Sequence, residues 1–367
     1  MEFDLITTQA ELQSLVSHIA DSEWLALDTE FMRESSYYSK LCLIQIASEN
    51  ICACVDVIAL DNIDVLLALL ADQNKMKIFH SGRQDLEVFY TQYNMLPTPV
   101  FDTQIAASLL TASEQIGYGE LVENTLSITL AKTETRTDWS KRPLTPAQHA
   151  YALDDVRYLG AIYLQMQDAL INKQRLSWFT EECSSLCNLN LYQVDPYETW
   201  KNVKGIGRVT NQALPYIKQL SAWREMLAQQ RNRPRQWILS DRALTELAQL
   251  QPLTEQSIAC YLQDEQPKFK RYLKEIVFEV ENIPASLSSD SSLIVEDRRL
   301  DKEQQDRVKR LMKHMRQRAE ELEITPSLLA NRKSIEQLVR GEPSRVTSGW
   351  RHEQIGHELL ALIEAND

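Results

Sequence analysis

Asp28 and Glu30 stand two residues apart in Trp24-Leu-Ala-Leu-Asp-Thr-Glu-Phe31, a run whose other members are mostly apolar. If that run is a β-strand, alternation sends both carboxylates to one face. Two like charges so close on an apolar element are costly unless something positive lies between them. A divalent cation would supply that charge; an edge strand turning both acids to water is the plainer alternative. Further along, Tyr151 and Asp155 are four residues apart in a helical pattern, so a phenol and a carboxylate share one helix face. Beside an acidic strand, such a pair is able to orient a metal-bound water. Asp85 follows His80-Ser-Gly-Arg-Gln and falls in the first turn of an expected helix, where the helix dipole alone would favour an acid. Asp154, one residue before Asp155, points about 100° away around the helix and is left out of this set.

The elements that must carry these side chains read as α/β in the first half. Strands are expected at Trp24–Phe31, Leu41–Ala47, Ile51–Val57 and Met76–His80, the second and third joined by Ser48-Glu49-Asn50, a spacing suited to a hairpin. Ser81-Gly82 breaks the fourth before a helix beginning near Arg83. Helical patterns follow at 102–111 and 119–131, then a polar, basic loop at 132–145. The next helix opens at Thr145-Pro146, with a cap residue and a proline in its first turn. Early strands followed by strand–helix alternation imply an α/β N-terminal domain, a mixed sheet with flanking helices.

From about residue 210 the pattern is all helical, with Ile217, Leu220, Trp223 and Leu227 on a 3.6-residue stripe. Pro196, Gly205 and Gly207 mark the change of style, and the Ser-rich stretch 283–292 reads as a linker. Two all-α helical-bundle domains are therefore expected after the first domain, giving boundaries of 1–205, 210–290 and 295–367. The two helical segments resemble each other as a weak repeat. An offset of ninety lays Ile238-Leu-Ser-Asp-Arg242 over Leu328-Leu-Ala-Asn-Arg332, with Asp241 or Asn331 as the polar cap before a helix.

Bulk properties narrow the class. The 367 residues carry a net charge of −13, with 44% hydrophobic and 25% charged residues, ordinary for a soluble globular protein of two or three domains. The acidity is uneven: residues 1–190 hold 12 Lys/Arg against 26 Asp/Glu, whereas residues 191–367 hold 27 against 26. Bound cations would neutralise part of the first-half excess, which otherwise serves solubility. There is no apolar run of membrane-spanning length, and the acidic start Met1-Glu2-Phe3-Asp4 is unlike a secretory signal, so a cytoplasmic location is expected. The six cysteines show no zinc-ligand spacing and are read as buried or indifferent thiols in a reducing compartment.

Three segments together are more specific. Leu27-Asp28-Thr29-Glu30-Phe31, His80-Ser-Gly-Arg-Gln-Asp85-Leu and Tyr151-Ala-Leu-Asp-Asp155 resemble, in order, the three exonuclease motifs of the DEDD superfamily. Tyr151 four before the last Asp marks the tyrosine subgroup; Ala150 occupies the position where the other subgroup carries histidine, and His149 is one residue too early. Trp223-Arg224-Glu225, Pro234 and Trp237-Ile-Leu-Ser-Asp241 resemble the HRDC module. The second helical segment lacks the Trp-Arg-Glu triplet. One exonuclease domain followed by two such modules resembles the bacterial ribonuclease D family over nearly the whole chain.

The resemblance implies a ribonuclease H-like sheet and a metal-dependent 3′→5′ exoribonuclease, a phosphodiester hydrolase. Asp28, Glu30, Asp85 and Asp155 would hold two divalent ions, Mg²⁺ or Mn²⁺, and Tyr151 would be the fifth catalytic residue, orienting the attacking water. In the family scheme Asp28 bridges both ions, Glu30 and Asp155 complete the site carrying the nucleophile, and Asp85 serves the other ion through waters. Products would be 5′-mononucleotides, and substrates tRNA precursors and other small structured RNAs. For RNA binding the candidates are Lys132, Arg136, Lys141 and Arg142 gripping the backbone, Trp139 stacking on a base, and Arg231, Arg233 and Arg235 near Trp237. A monomer is expected. A 3′→5′ DNA exonuclease remains an alternative, because discrimination rests on contacts to the 2′-OH. A non-catalytic RNA-binding adaptor would need a lost acid, and all four are present with the tyrosine.

Overall fold

The computed structural model describes residues 4–131, 137–250, 253–283 and 300–364. They fall into two compact units: Met1–Met32, Lys40–Asn188 and Leu300–Asp367 form the first, and Arg33–Ser39 with Leu189–Arg299 the second.

The first unit is built on a six-stranded mixed sheet of β1 (Leu5–Ile6), β2 (Trp24–Met32), β3 (Lys40–Ala47), β4 (Cys52–Val55), β5 (Met76–Phe79) and β6 (Val100–Asp102), in the order β1-β4-β3-β2-β5-β6. β2, β3 and β4 run antiparallel as the hairpin spacing predicts, and the outer strands add in parallel. Seven of the eight residues of β3 are buried, because helices cover both faces of the sheet. β2 is longer than its parallel neighbour: only Trp24–Ala26 pair with β5, so the rest of β2 runs on beyond that edge. A register shift at Glu30/Phe31 bends the same stretch.

Local chemistry sets the helix starts. Thr145 caps the helix Pro146–Arg157 with a reciprocal box to Gln148, and that helix packs across β2, β3 and β4. The helix Arg83–Tyr93 begins after Ser81, whose φ is 59°, and Gly82. A β-carbon at Gly82 would lie 2.5 Å from the Phe79 β-carbon, so the turn is closed to any larger residue. Asp102 holds the turn from the side, accepting from the Ser81 and Gly82 amides while capping the helix Thr103–Leu110.

The C-terminal helices Lys302–Glu321, Pro326–Leu329 and Arg332–Val339 belong to this first unit. The sequence predicts a separate third body from residue 295. Instead Leu311, Met315, Leu329 and Ile335 share one core with Phe101, Ile162 and Phe179. The physical reason lies at Trp350, which stacks on Trp178 at 4.8 Å, and at Arg351, whose guanidinium forks onto Glu182. A π-helical turn at His352–Gly356 follows, and Gly356 admits no β-carbon because the Val346 carbonyl would be 2.1 Å away.

The second unit holds the helices Leu214–Gln230, Arg235–Ile238, Asp241–Ala248, Glu255–Asp264 and Leu273–Glu281 around Ile217, Leu220, Trp223, Leu244, Ile258 and Phe269. Arg33–Ser39 lies against it, with the Tyr37 and Tyr38 amides both donating to Asn232 Oδ1 at 3.0 Å and the Tyr37 hydroxyl donating to Glu225. The repeat is present, with one correction. Ser240, not Asp241, caps the earlier of the matched helices, and Asn331 caps the later. Asp241 sits inside the first turn because Arg224 claims its carboxylate at 2.7 Å. Buried Leu244 and Leu247 accordingly match Ile335 and Leu338 at an offset of ninety-one rather than ninety. Most of the expected linker lies outside the described residues.

Candidate active site

Strand alternation places Asp28 and Glu30 on the face of β2 that the helix Pro146–Arg157 covers, and that helix brings Asp155 to them. One carboxylate oxygen from each of Asp28, Glu30 and Asp155 lies within 4.8 Å of the other two. Asp85 approaches along the strand edge instead. Where β2 outruns β5, Thr29 turns to the opposite face and its hydroxyl donates to Asp85 Oδ1 at 2.5 Å. Asp85 is thus the neighbour of the trio, close enough that its charge acts on Asp28 and Glu30.

The electrostatics follow from burial and crowding. Burial first, then the charges of Asp85, Asp155 and Glu30, hold the Asp28 carboxyl well above the ordinary range. Glu30 is pushed up to about 8 by burial, with Asp155 and Asp85 adding to it. Asp155 rises to about 7 through burial and the neighbouring Asp154 and Asp85, although hydrogen bonding from Tyr151 pulls the other way. Asp85 also reaches about 7 by burial, opposed by the donations from Thr29. No Lys or Arg figures among the groups that shift these four acids. A half-buried cluster of like charges with no counter-ion among the described residues suits a hard divalent cation, and an all-oxygen donor set is what such a cation prefers.

Tyr151 donates its hydroxyl to Asp155, and its ring lies 6.2 Å from that of Trp139, tilted by 33°. Burial and the charges of Asp155, Glu30 and Asp28 raise the phenol further above its usual value, so it stays protonated at neutral pH. Asp154 turns away to pair with Arg157 at 3.0 Å. His149 is likewise directed elsewhere, toward the Asp4 carbonyl.

The RNA-binding candidates divide. Trp139 is only 4% exposed and packs in a core with Leu43, Cys54 and Leu153, so it offers no ring to a base. Its position behind Tyr151 makes it a support for that ring. Arg142 is also spoken for: its guanidinium forks onto the buried Asp56 at 2.5 and 2.7 Å and donates to the Cys42 and Trp139 carbonyls. It ties the loop to the sheet. Lys141 projects into solvent with its side chain 79% exposed. Lys132 and Arg136 lie outside the described residues. Arg231 stacks over Tyr272, Arg233 over Trp237, and Arg235 reaches Glu225 at 3.3 Å.

Sequence reasoning missed Thr29 and Asp102. Thr29 is hidden inside the Asp-Thr-Glu motif, and only the unequal lengths of β2 and β5 give it a role. Asp102 reads in the sequence as a helix start, which it is, but its grip on the Ser81-Gly82 turn depends on β6.

Residues 3–171 match the 3′-5′ exonuclease family model and residues 214–280 the HRDC domain. Ribonuclease D of Zymomonas mobilis subsp. mobilis is 36% identical over 380 residues, covering 98% of this chain and 94% of the relative. Ribonuclease D of Pseudomonas paraeruginosa is 33% identical, covering 99% and 98%. The crystal structure of Escherichia coli RNase D, an exoribonuclease involved in structured RNA processing, superposes with a TM-score of 0.87 at 27% identity, covering 100% of this chain and 99% of that one. The chain belongs to the ribonuclease D family of 3′→5′ exoribonucleases.

Proposed function

We propose that this enzyme trims the 3′ ends of tRNA precursors and other small structured RNAs, releasing 5′-mononucleotides, with two divalent ions, Mg²⁺ or Mn²⁺, held by Asp28, Glu30, Asp85 and Asp155. The observation that carries this reading is the mutual approach of the Asp28, Glu30 and Asp155 oxygens within 4.8 Å. Asp28 is assigned to both ions, Glu30 and Asp155 to the one beside the nucleophile, and Asp85, already engaged by Thr29, to the other through waters. Ions bound there supply Lewis-acid activation of water and neutralise charge on the phosphate. Tyr151 acts as a hydrogen-bond donor rather than a base, because its phenol remains protonated at working pH. It fixes Asp155 and is poised to orient the attacking water.

For binding, Lys141 and the cluster Arg231, Arg233 and Arg235 are assigned to the RNA backbone. Arg235 also lines a cavity of about 380 Å³ in the helical unit, together with Arg33, Tyr37 and Arg224. Functionally the chain is treated as an exonuclease module (1–205), an HRDC module (210–290) and a further HRDC-like module (295–367). No helix among the described residues is long and apolar enough to cross a membrane, and the six cysteines are free thiols. A cytoplasmic enzyme is the reading these features favour, and it is proposed to act as a monomer.

The decisive experiment incubates matched 3′-extended RNA and DNA oligomers with the protein and Mg²⁺ or Mn²⁺, with and without chelator. Stepwise, chelator-sensitive release of 5′-mononucleotides from RNA is expected. Preferential digestion of DNA would replace the substrate assignment, and digestion insensitive to chelator would remove the metal assignment.

A further inference from the structure

Gln45 stands beside the acidic cluster, yet the metal scheme gives its side chain nothing to do. It sits in the middle of β3, fully buried at 0% exposure, and neither its amide nitrogen nor its amide oxygen has a hydrogen-bond partner among the described residues. Burying an unpartnered amide costs about 1–3 kcal/mol per polar group, so an apolar side chain would serve a plain strand better. The register says what the amide faces. Gln45 pairs directly with Asp28 of β2, and on its other side with Cys54 of β4. Directly opposed residues of antiparallel strands project from the same face, with β-carbons about 4.5–5.5 Å apart. That face is the covered one, since Cys52, two residues from Cys54, donates its thiol to the Leu153 carbonyl of the overlying helix.

Gln45 therefore stands in a cross-strand row between a carboxylate that accepts and a thiol that donates. The row has a polarity: an amide nitrogen toward Asp28 and an amide oxygen toward Cys54 would satisfy both ends. An ionised Asp28, the form that binds a cation, gains a charge-assisted hydrogen bond from it.

We propose that Gln45 is a positioning residue for the metal site, its side-chain amide donating to the ionised Asp28 carboxylate and fixing which oxygens that carboxylate presents to the cation. The inference rests on the assignment of Asp28 as a metal ligand. Groups that orient a ligand in this way typically change metal affinity by about 10–100-fold when removed.

The test is Gln45→Met, nearly isosteric and apolar, with Gln45→Leu as a further variant and Asp28→Asn as the reference. Mn²⁺ binding to the full chain is measured by calorimetry in the absence of RNA, alongside the metal-free melting temperature. The Met variant is expected to keep or raise the metal-free melting temperature and to bind Mn²⁺ about 10–100-fold more weakly. Wild-type Mn²⁺ affinity in the Met variant, with affinity lost in Asp28→Asn, overturns the role of Gln45 alone. Unchanged affinity in Asp28→Asn overturns the metal reading beneath it. Collapse of the metal-free fold in both Gln45 variants also overturns the proposal, because a side chain that works only on the ionised, metal-holding carboxylate is not needed by the empty protein.

Discussion

Two half-buried acidic sites in the first unit, the Asp28 cluster and Glu182, are built on opposite plans. Around Asp28, Glu30 and Asp155 each carboxylate is surrounded by other carboxylates, and all of them are pushed upward in pKa. At Glu182 burial pushes the same way, but the Arg351 guanidinium and the Trp350 indole N–H outweigh it and leave the carboxyl below its usual value. Glu182 is complete within the protein: Arg351 Nη2 is 2.9 Å and Trp350 Nε1 2.8 Å from its oxygens. Among the described residues the acidic cluster has no such partner, which suits the metal-binding role proposed for it. One arrangement holds the fold together; the other is tolerated by the fold for the sake of chemistry.

That contrast can be broken from either side. The largest effect is expected for Asp155→Asn, which should lower turnover on 3′-extended RNA by at least about 10³-fold, roughly 4 kcal/mol of barrier. Circular dichroism and RNA affinity should remain near wild type; retained turnover would mean Asp155 does not serve the reaction. Arg351→Met should do the reverse. It takes the forked guanidinium from half-buried Glu182, leaving it only the distant Arg345 at 3.9 Å, and should cost about 3 kcal/mol of stability, read from the denaturation midpoint and from proteolysis within 300–364. Tyr151→Phe, which removes only the donor to Asp155, should reduce turnover about 10–100-fold and leave substrate affinity alone. Glu30→Gln should raise the stability of the chelator-treated protein by on the order of 1 kcal/mol at neutral pH, because Glu30, pushed up to about 8, has to take up a proton to fold without metal and Gln does not. A fall in melting temperature there would show that the cluster is not self-repelling.

The smallest effect is a pH dependence. The Glu182 carboxyl has a folded-state pKa below its ordinary value of 4.5, so its contribution is fully present above pH 4.5 and is lost as pH falls through the lower folded value. Wild type should therefore lose its stability advantage over Glu182→Gln only below about that pH. An advantage that disappears at higher pH would point to a different partner for Arg351.

Much of the site was legible because motif and periodicity coincide. Alternation in β2 fixes the common face of Asp28 and Glu30, and the Thr145-Pro146 start sets the helix phase that delivers Tyr151 and Asp155 together. What could not be read depends on partners remote in the chain. Arg142 and Trp139 resemble a nucleic-acid grip in isolation, and only Asp56, 86 residues away, and the ring of Tyr151 turn them into structure. β1 and β6 were missed because two and three residues carry too little periodicity to register. What the C-terminal helical stripe packs against was hidden for a similar reason. A helical stripe announces that it will be buried without saying against what, and the surface that covers it begins at Trp178 and Glu182.

Gly82 illustrates how far from the chemistry a decisive residue can stand. Its amide donates to Asp102, which is not one of the four motif acids, yet the Phe79 side chain leaves no volume for anything larger, and the helix that presents Asp85 begins at the next residue. Alanine at that position would force the turn to reopen and swing the helix start, displacing one carboxylate while leaving every motif acid intact. A survey of the four acids alone would score such a protein as an active nuclease, though the cradle proposed for the metal would be sprung.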